Sequence, residues 1–240
     1  MKASHRVRIY KSHWHLLITF GFIILPFIFI LVFSQLGHIP TKQLFLDIGV
    51  SVLRLSVAYM IAAVLAWILA IIFYRGARAA IALPFFDVLQ SFPTFAVLPL
   101  VTYFWGPSNV TIVFFLVLTV IWPILFSILS SLKLIRNDWE EAIQISGLKG
   151  FQYVKIFLWP VSIPGLITGS IIGLGEGWES LIATEIITNN QLGLGNFFQT
   201  FSQNISVTAF GILGFLLLIF SLNKLLWLPL LDWSHRMTNE

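Results

Sequence analysis

Residues 132–165 read LKLIRNDWEEAIQISGLKGFQYVKIFLWPVSIPG, a polar stretch set between long apolar runs. Seven of its residues are charged, whereas residues 110–132 just before it carry no charge at all. Its first part has the pattern of a short helix. Asn137 can cap the start, and Glu140 stands three residues on, as in a capping box. Trp139, Ala142, Ile143 and Ile145 supply apolar surface, and Gly147 is a natural stop. A second amphipathic stretch runs from Phe151 to Trp159 and is expected to end at Pro160. A short amphipathic helix outside the membrane has two uses: it lies on lipid headgroups or it docks into a partner protein.

Working outward, the composition fixes the solvent. Of 240 residues 58% are hydrophobic and only 10% charged, with a mean hydropathy of +0.92. A soluble domain carries about 25% charged residues, so too little polar surface exists to cover a globule. Apolar runs long enough to cross about 30 Å of hydrocarbon fall at roughly 14–36, 48–74, 79–105, 110–132, 161–187 and 208–231. The expectation is an all-α membrane protein of six transmembrane helices forming a single domain over 1–240, with 133–160 as a loop. The first run is too long for a signal peptide, is interrupted by Pro26, and lacks a cleavage site. The third contains Pro84, Pro93 and Pro99, which predicts kinks or a break.

Basic residues orient the chain. Lys2, Arg6, Arg8, Lys11, Arg75, Arg78, Lys133, Arg136, Lys149, Lys155 and Arg236 all fall on one side. The positive-inside rule makes that side cytoplasmic, with both termini and the 133–160 loop. Residues 184–207 then face outward. The sequence lacks a phosphate-cradling GxxxxGK[ST] loop, a GxSxG elbow and an HExxH pair. It has no cysteine, and its histidines at 5, 13, 15, 38 and 235 are scattered. No catalytic, metal or cofactor site is expected, and the energy source belongs to another chain. Nothing in the charge pattern suggests nucleic acid.

The fifth span is the most informative. Gly165, Gly169, Gly173 and Gly177 recur every four residues, a ridge that lets another backbone approach closely. The ridge reads as a packing surface, within the chain or between two copies of it, or as one that slides. Glu176 and Glu179 are helical neighbours, with Glu185 nearer the outer end. Ionised groups at such depth face a cavity or a partner. Counted at 1.5 Å per residue, Arg54 lies about 10 Å and Glu179 about 12 Å inside the outer surface, so depth permits an Arg54–Glu179 ion pair. Gln90 and Ser91, at the proline-rich part of span three, join Glu176, Glu179 and Glu185 as candidates for a polar path. The glutamates leave a second use open, an intramembrane enzyme or an ion channel.

The spacing of Glu141, Ala142, Gly147 and Pro160 resembles the EAA signature of binding-protein-dependent ABC importer permeases. Ile143, Phe157 and Trp159 depart from that signature but stay apolar. Asp87 to Pro93, with Leu98-Pro99-Leu100, and Ala183-Thr-Glu185 followed by Gly193-Leu-Gly195, resemble the nitrate/sulfonate/taurine permeases. The resemblance implies a type I importer permease fold in a bacterial inner membrane. It implies a pair of permease chains, like or unlike, a cytoplasmic ATPase dimer that uses the ATP, and an extracytoplasmic solute-binding protein. It also implies that Glu141, Ala142 and Gly147 couple the permease to the ATPase.

Overall fold

A computed structural model describes residues 21, 22, 24–38, 41–227, 229–231 and 233, leaving aside the side chains at 137, 140 and 144. The N-terminal basic cluster, Arg236, the histidines at 5, 13, 15 and 235 and the start of the 14–36 run lie outside these residues. So do the side chains of the Asn137/Glu140 capping box.

The described residues are helical throughout, with short connections. In chain order they form α1 (Ile24–Leu36), α2 (Thr41–Phe73), α3 (Gly76–Gln90), α4 (Thr94–Trp105), α5 (Asn109–Lys133) and α6 (Asn137–Ser146). Then follow α7 (Gly150–Tyr153), a π-helical turn (Val154–Leu158), α8 (Trp159–Ile187), α9 (Leu194–Thr200) and α10 (Ile205–Leu222) with a second π-turn, Asn223–Trp227. Ser108 caps α5 by accepting from the Thr111 amide at 3.3 Å. Asn204 caps α10 by accepting from Val207 at 3.1 Å.

Four helical runs among the described residues are long and apolar enough to cross a membrane: Thr41–Phe73, Asn109–Lys133, Gly150–Ile187 and Ile205–Leu231. The expected third span is a bent pair, α3 and α4, which meet at 76°; counting it as one gives five. Pro93 sets the break, because it pushes Phe92 out of helical geometry and cannot donate to the turn before it. Pro84 and Pro99 stay inside α3 and α4. The described part of the first run, α1, is apolar but shorter than a span.

One boundary differs from the sequence reading. Pro160 does not end a helix: α7, the π-turn and α8 form one helical run of 38 residues, Gly150–Ile187. The π-turn contains Ile156, whose carbonyl the Pro160 ring would otherwise strike, and the wider turn accommodates it.

Two compact units divide the chain. In one, α1 meets α10: Phe33 and Phe210 have ring centroids 5.9 Å apart. A Cβ at Gly214 there would touch the Phe29 ring at 3.1 Å. The other unit, Leu46–Phe197, contains the glycine ridge. Gly165 and Gly169 lie directly on the α5 backbone. An added Cβ would come within 2.5 Å of the Ser127 carbonyl oxygen and 2.6 Å of the Ile124 Cα respectively. At Gly173 the Val120 carbonyl would be 3.0 Å away. The α5 partner positions fall as the α8 positions rise, so the helices are antiparallel. The ridge is therefore occupied within the chain, by α5. Gly175, off the ridge, has open space around it.

Polar rungs tie α8 to α2, and α7 to the turn after α2. Tyr59 Oη and Ser170 Oγ are 2.9 Å apart, Trp67 Nε1 donates to Ser162 Oγ at 2.9 Å, and Tyr74 and Tyr153 hydroxyls meet at 3.1 Å. In hydrocarbon such polar atoms need internal partners, and no buried side-chain polar atom among the described residues lacks one.

Replacing Gly169 by Val should overpack the α5–α8 contact and cost about 2 kcal/mol, read as a lower thermal midpoint in detergent. Gly175→Ala should leave that midpoint unchanged.

Candidate functional site

Three features of the Leu46–Phe197 unit bear on function: a buried ion-pair cluster, a polar groove and the exposed helix α6.

The ion-pair cluster joins α2 to the chain after α8. Arg54 is 6% exposed and Glu185 is fully buried, and Arg54 Nη1 lies 2.6 Å from Glu185 Oε1. The Arg54–Glu179 pair that depth permits is thus replaced by Arg54–Glu185. Depth gave the wrong partner because it says nothing about direction around the helix. Six residues at about 100° each place Glu179 about 120° from Glu185, and Glu179 is exposed on that other side.

Other polar groups complete the cluster. Arg54 Nη1 also donates to the Leu192 carbonyl at 2.8 Å, Nη2 to Asn190 Oδ1 at 3.1 Å, and Nε to Asn109 Oδ1 at 2.9 Å. Glu185 accepts from Ser51 Oγ at 2.9 and 3.0 Å and from the Gly195 amide at 2.8 Å. Ser51 Oγ in turn accepts from the Leu194 amide at 2.8 Å, and Asp47 Oδ1 from the Gly193 amide at 2.9 Å. The amides of 193–195, which open α9, are thereby pinned to α2. Asp47, Ser51, Asn109 and Asn190 were not foreseen. The signal was available for two of them: Asp47, Ser51 and Arg54 are polar at helical spacing in an apolar helix.

The groove has a volume of about 570 Å³ and lies between α3, α5 and α8. Gln90 and Asp87 come from α3; Ser127, Ser130 and Ser131 from α5; Thr168, Ile172 and Glu176 from α8. Of the candidate path residues the structure brings Gln90 and Glu176 together here. Ser91 sits at the α3–α4 break, its hydroxyl donating to the Asp87 carbonyl at 2.8 Å. Glu179 is exposed away from the groove lining, and Glu185 is committed to Arg54. The three serines follow i, i+3, i+4 spacing, and Thr168, Ile172 and Glu176 follow i, i+4, i+8. Each set is one helix stripe, and the glycine contact sets the stripes side by side.

Helix α6 carries Glu141 and Ala142, both exposed. Ile145 is 87% exposed on the same short helix. Gly147 follows with φ of +71°, a left-handed turn that costs an L-residue roughly 1–2 kcal/mol. Arg136 holds the helix entrance, with Nη2 2.7 Å from Asp138 Oδ2. Under the exit lies a hollow of about 370 Å³ bordered by Arg75, Ile143, Lys149 and Tyr153. The polar helix thus turns one apolar side chain, Ile143, toward the body and leaves another, Ile145, uncovered.

An antiparallel helix pair, a broken apolar span and a short exposed helix after α5 are the features set against known proteins. The family model for binding-protein-dependent transport system inner membrane components matches residues 62–226. The chain belongs to that family of multi-pass ABC importer permeases. It is 28% identical over 196 residues to a nitrate import permease protein of Leptolyngbya laminosa, covering 81% of this chain and 65% of that one. It is 24% identical to a bicarbonate transport system permease protein of Synechococcus elongatus, over 73% of this chain and 66% of the relative. A taurine transport system permease protein of Escherichia coli is 29% identical over 49% of this chain and 42% of the relative. The chain spans 65% and 57% of the length of two of the nitrate permeases it matches.

Glu185→Ala should strand Arg54 in the interior and cost about 3 kcal/mol or more. The double variant Arg54→Met/Glu185→Gln keeps an acceptor for the Gly195 amide and should be milder than that single change. Denaturant unfolding in detergent measures both, and a Glu185→Ala protein as stable as its parent would show the pair to be inert.

Proposed function

We propose that this chain is the permease subunit of an ATP-driven importer, passing a small polar solute across a bacterial inner membrane. The observation that carries the proposal is α6. It is a short helix with an exposed apolar side chain, and it leads through a three-residue connection, with left-handed glycines at 147 and 150, into the continuous run Gly150–Ile187. Movement at the base of such a run is delivered to the glycine ridge and the groove without an intervening hinge loop.

Two permease chains would each offer one α6 to a groove on one of two cytoplasmic ATPase subunits. In this scheme ATP is bound and hydrolysed by those subunits. In this scheme Glu141 pairs with a basic or hydrogen-bond-donating group in the ATPase groove, Ala142 leaves room for close contact, and Gly147 sets the angle of the helix. Six spans, with both termini and α6 cytoplasmic, match the distribution of basic residues. A solute-binding protein would then deliver cargo at the side where Arg54 and Glu185 fix residues 190–195. The groove with Gln90 and Glu176 forms this chain's part of the path, and Ser91 marks the bend beside it. The relatives' cargoes, nitrate, bicarbonate and taurine, differ in charge distribution and do not assign one here.

The permease should co-purify with a P-loop ATPase, and Glu141→Arg/Ile145→Asp should weaken that association about 100-fold or more, the order expected when a central interface contact is lost. Gly147→Val should insert normally and keep ATP hydrolysis while transport falls. An enzyme or channel would act without the ATPase, and unchanged association after deletion of residues 138–147 would remove the proposal.

A further inference from the structure

We infer that the groove between α3, α5 and α8 admits cationic or neutral polar solutes and excludes anions. This rests on reading the groove as part of the translocation path, and it adds the charge class of the cargo.

The inference comes from the groove's side chains. Asp87 and Glu176 contribute two carboxylates on opposite walls, one from α3 and one from α8. Gln90, Ser127, Ser130, Ser131 and Thr168 contribute amide and hydroxyl groups, which both donate and accept. No Lys or Arg lines it among the described residues. Lys133 is the sequence neighbour of the groove-lining Leu134 but does not line the space. Arg136 is held by Asp138. Arg54, which could have neutralised an acid, is spent on Glu185, Asn109, Asn190 and the Leu192 carbonyl.

Geometry strengthens the effect of the two acids. The groove is walled by apolar helices, and low-permittivity walls focus the field of fixed charges into the aqueous space between them. An anion passing here would meet acceptors and like charge with no compensating cation. An ammonium, an amidine-like ring or an uncharged polyhydroxyl or amide compound would find acceptors on both sides and hydroxyls between. A zwitterion would pass with its positive end toward Asp87 and Glu176.

The absence of cysteine allows a direct test. A single thiol is placed in the groove by Ser130→Cys, and in a second variant by Thr168→Cys; both positions are exposed. Ser202→Cys, on an exposed turn, is the reference. The full-length protein is held in phosphatidylcholine nanodiscs, which leave both faces open and add no net lipid charge. Modification rates are measured with trimethylammonium-bearing and sulfonate-bearing methanethiosulfonates, each normalised to its rate with 2-mercaptoethanol. The expected result is a cation-over-anion preference of about tenfold or more at both groove thiols. That preference should fall toward unity in Asp87→Asn/Glu176→Gln. Equal normalised rates at the groove thiols would overturn the charge selection while leaving the path in place. A preference that survives the double substitution would overturn the assignment to Asp87 and Glu176. Groove thiols inert to both reagents, beside a reactive Ser202→Cys, would show that water does not enter the groove, and the path reading would fall with the inference.

Discussion

The contact on which the rest depends is the backbone-to-backbone packing of α8 on α5. Within a bilayer no hydrophobic force draws two apolar helices together, because lipid is as apolar as either of them. What remains is close packing, and Gly165 and Gly169 supply it by bringing the helices to distances that exclude even a methyl group, with Gly173 in tight contact beside them. The contact also sets azimuth. Once those glycines face α5, Thr168, Ile172 and Glu176 must share the side occupied by Ser127, Ser130 and Ser131. The groove is thus a by-product of the packing solution, and its polarity is decided by a handful of flanking residues.

The contact of α8 with α2 is held differently. Tyr59, Trp67 and Tyr74 of α2 and its following turn reach Ser170, Ser162 and Tyr153 by single hydrogen bonds. Each contributes modestly, since membrane-embedded side-chain bonds average about 0.6 kcal/mol. Arg54 and Glu185 are of another kind. A buried ion pair adds little net stability over an apolar substitute, but losing one partner is costly. Its effect is to specify: it leaves one arrangement in which residues 190–195 can lie against α2. The loop is thus held by several converging bonds, whereas each hydroxyl rung is one hydrogen bond.

Much of this was legible in the sequence. The apolar runs, the break near Pro93, the helix at 137–146 and the Gly147 stop follow from periodicity and from the special backbone of proline and glycine. The four-residue glycine period was visible too, but not which helix would cover it, because a period names a face and not its neighbour. The same gap explains Arg54: depth along an axis is additive and readable, whereas azimuth depends on how two helices are rotated against each other. Pro160 misled for a local reason. A proline ends a helix only where the preceding turn stays tight, and the π-turn at Val154–Leu158 relieves the clash. The groove's serines were missed because hydroxyls are too weakly polar to stand out in an apolar run.

The uninterrupted run from Gly150 to Ile187 has a consequence for how this chain can vary. Three separate fits are strung along one screw: the hollow beneath α6, the glycines against α5, and the carboxylate that meets Arg54. A single inserted or deleted residue between them would rotate everything beyond it by about 100° and ruin at least one fit. Changes of length should therefore be tolerated in the connections around residues 106–108 or 201–204 and rejected along this helix, whatever the chemistry of the added residue.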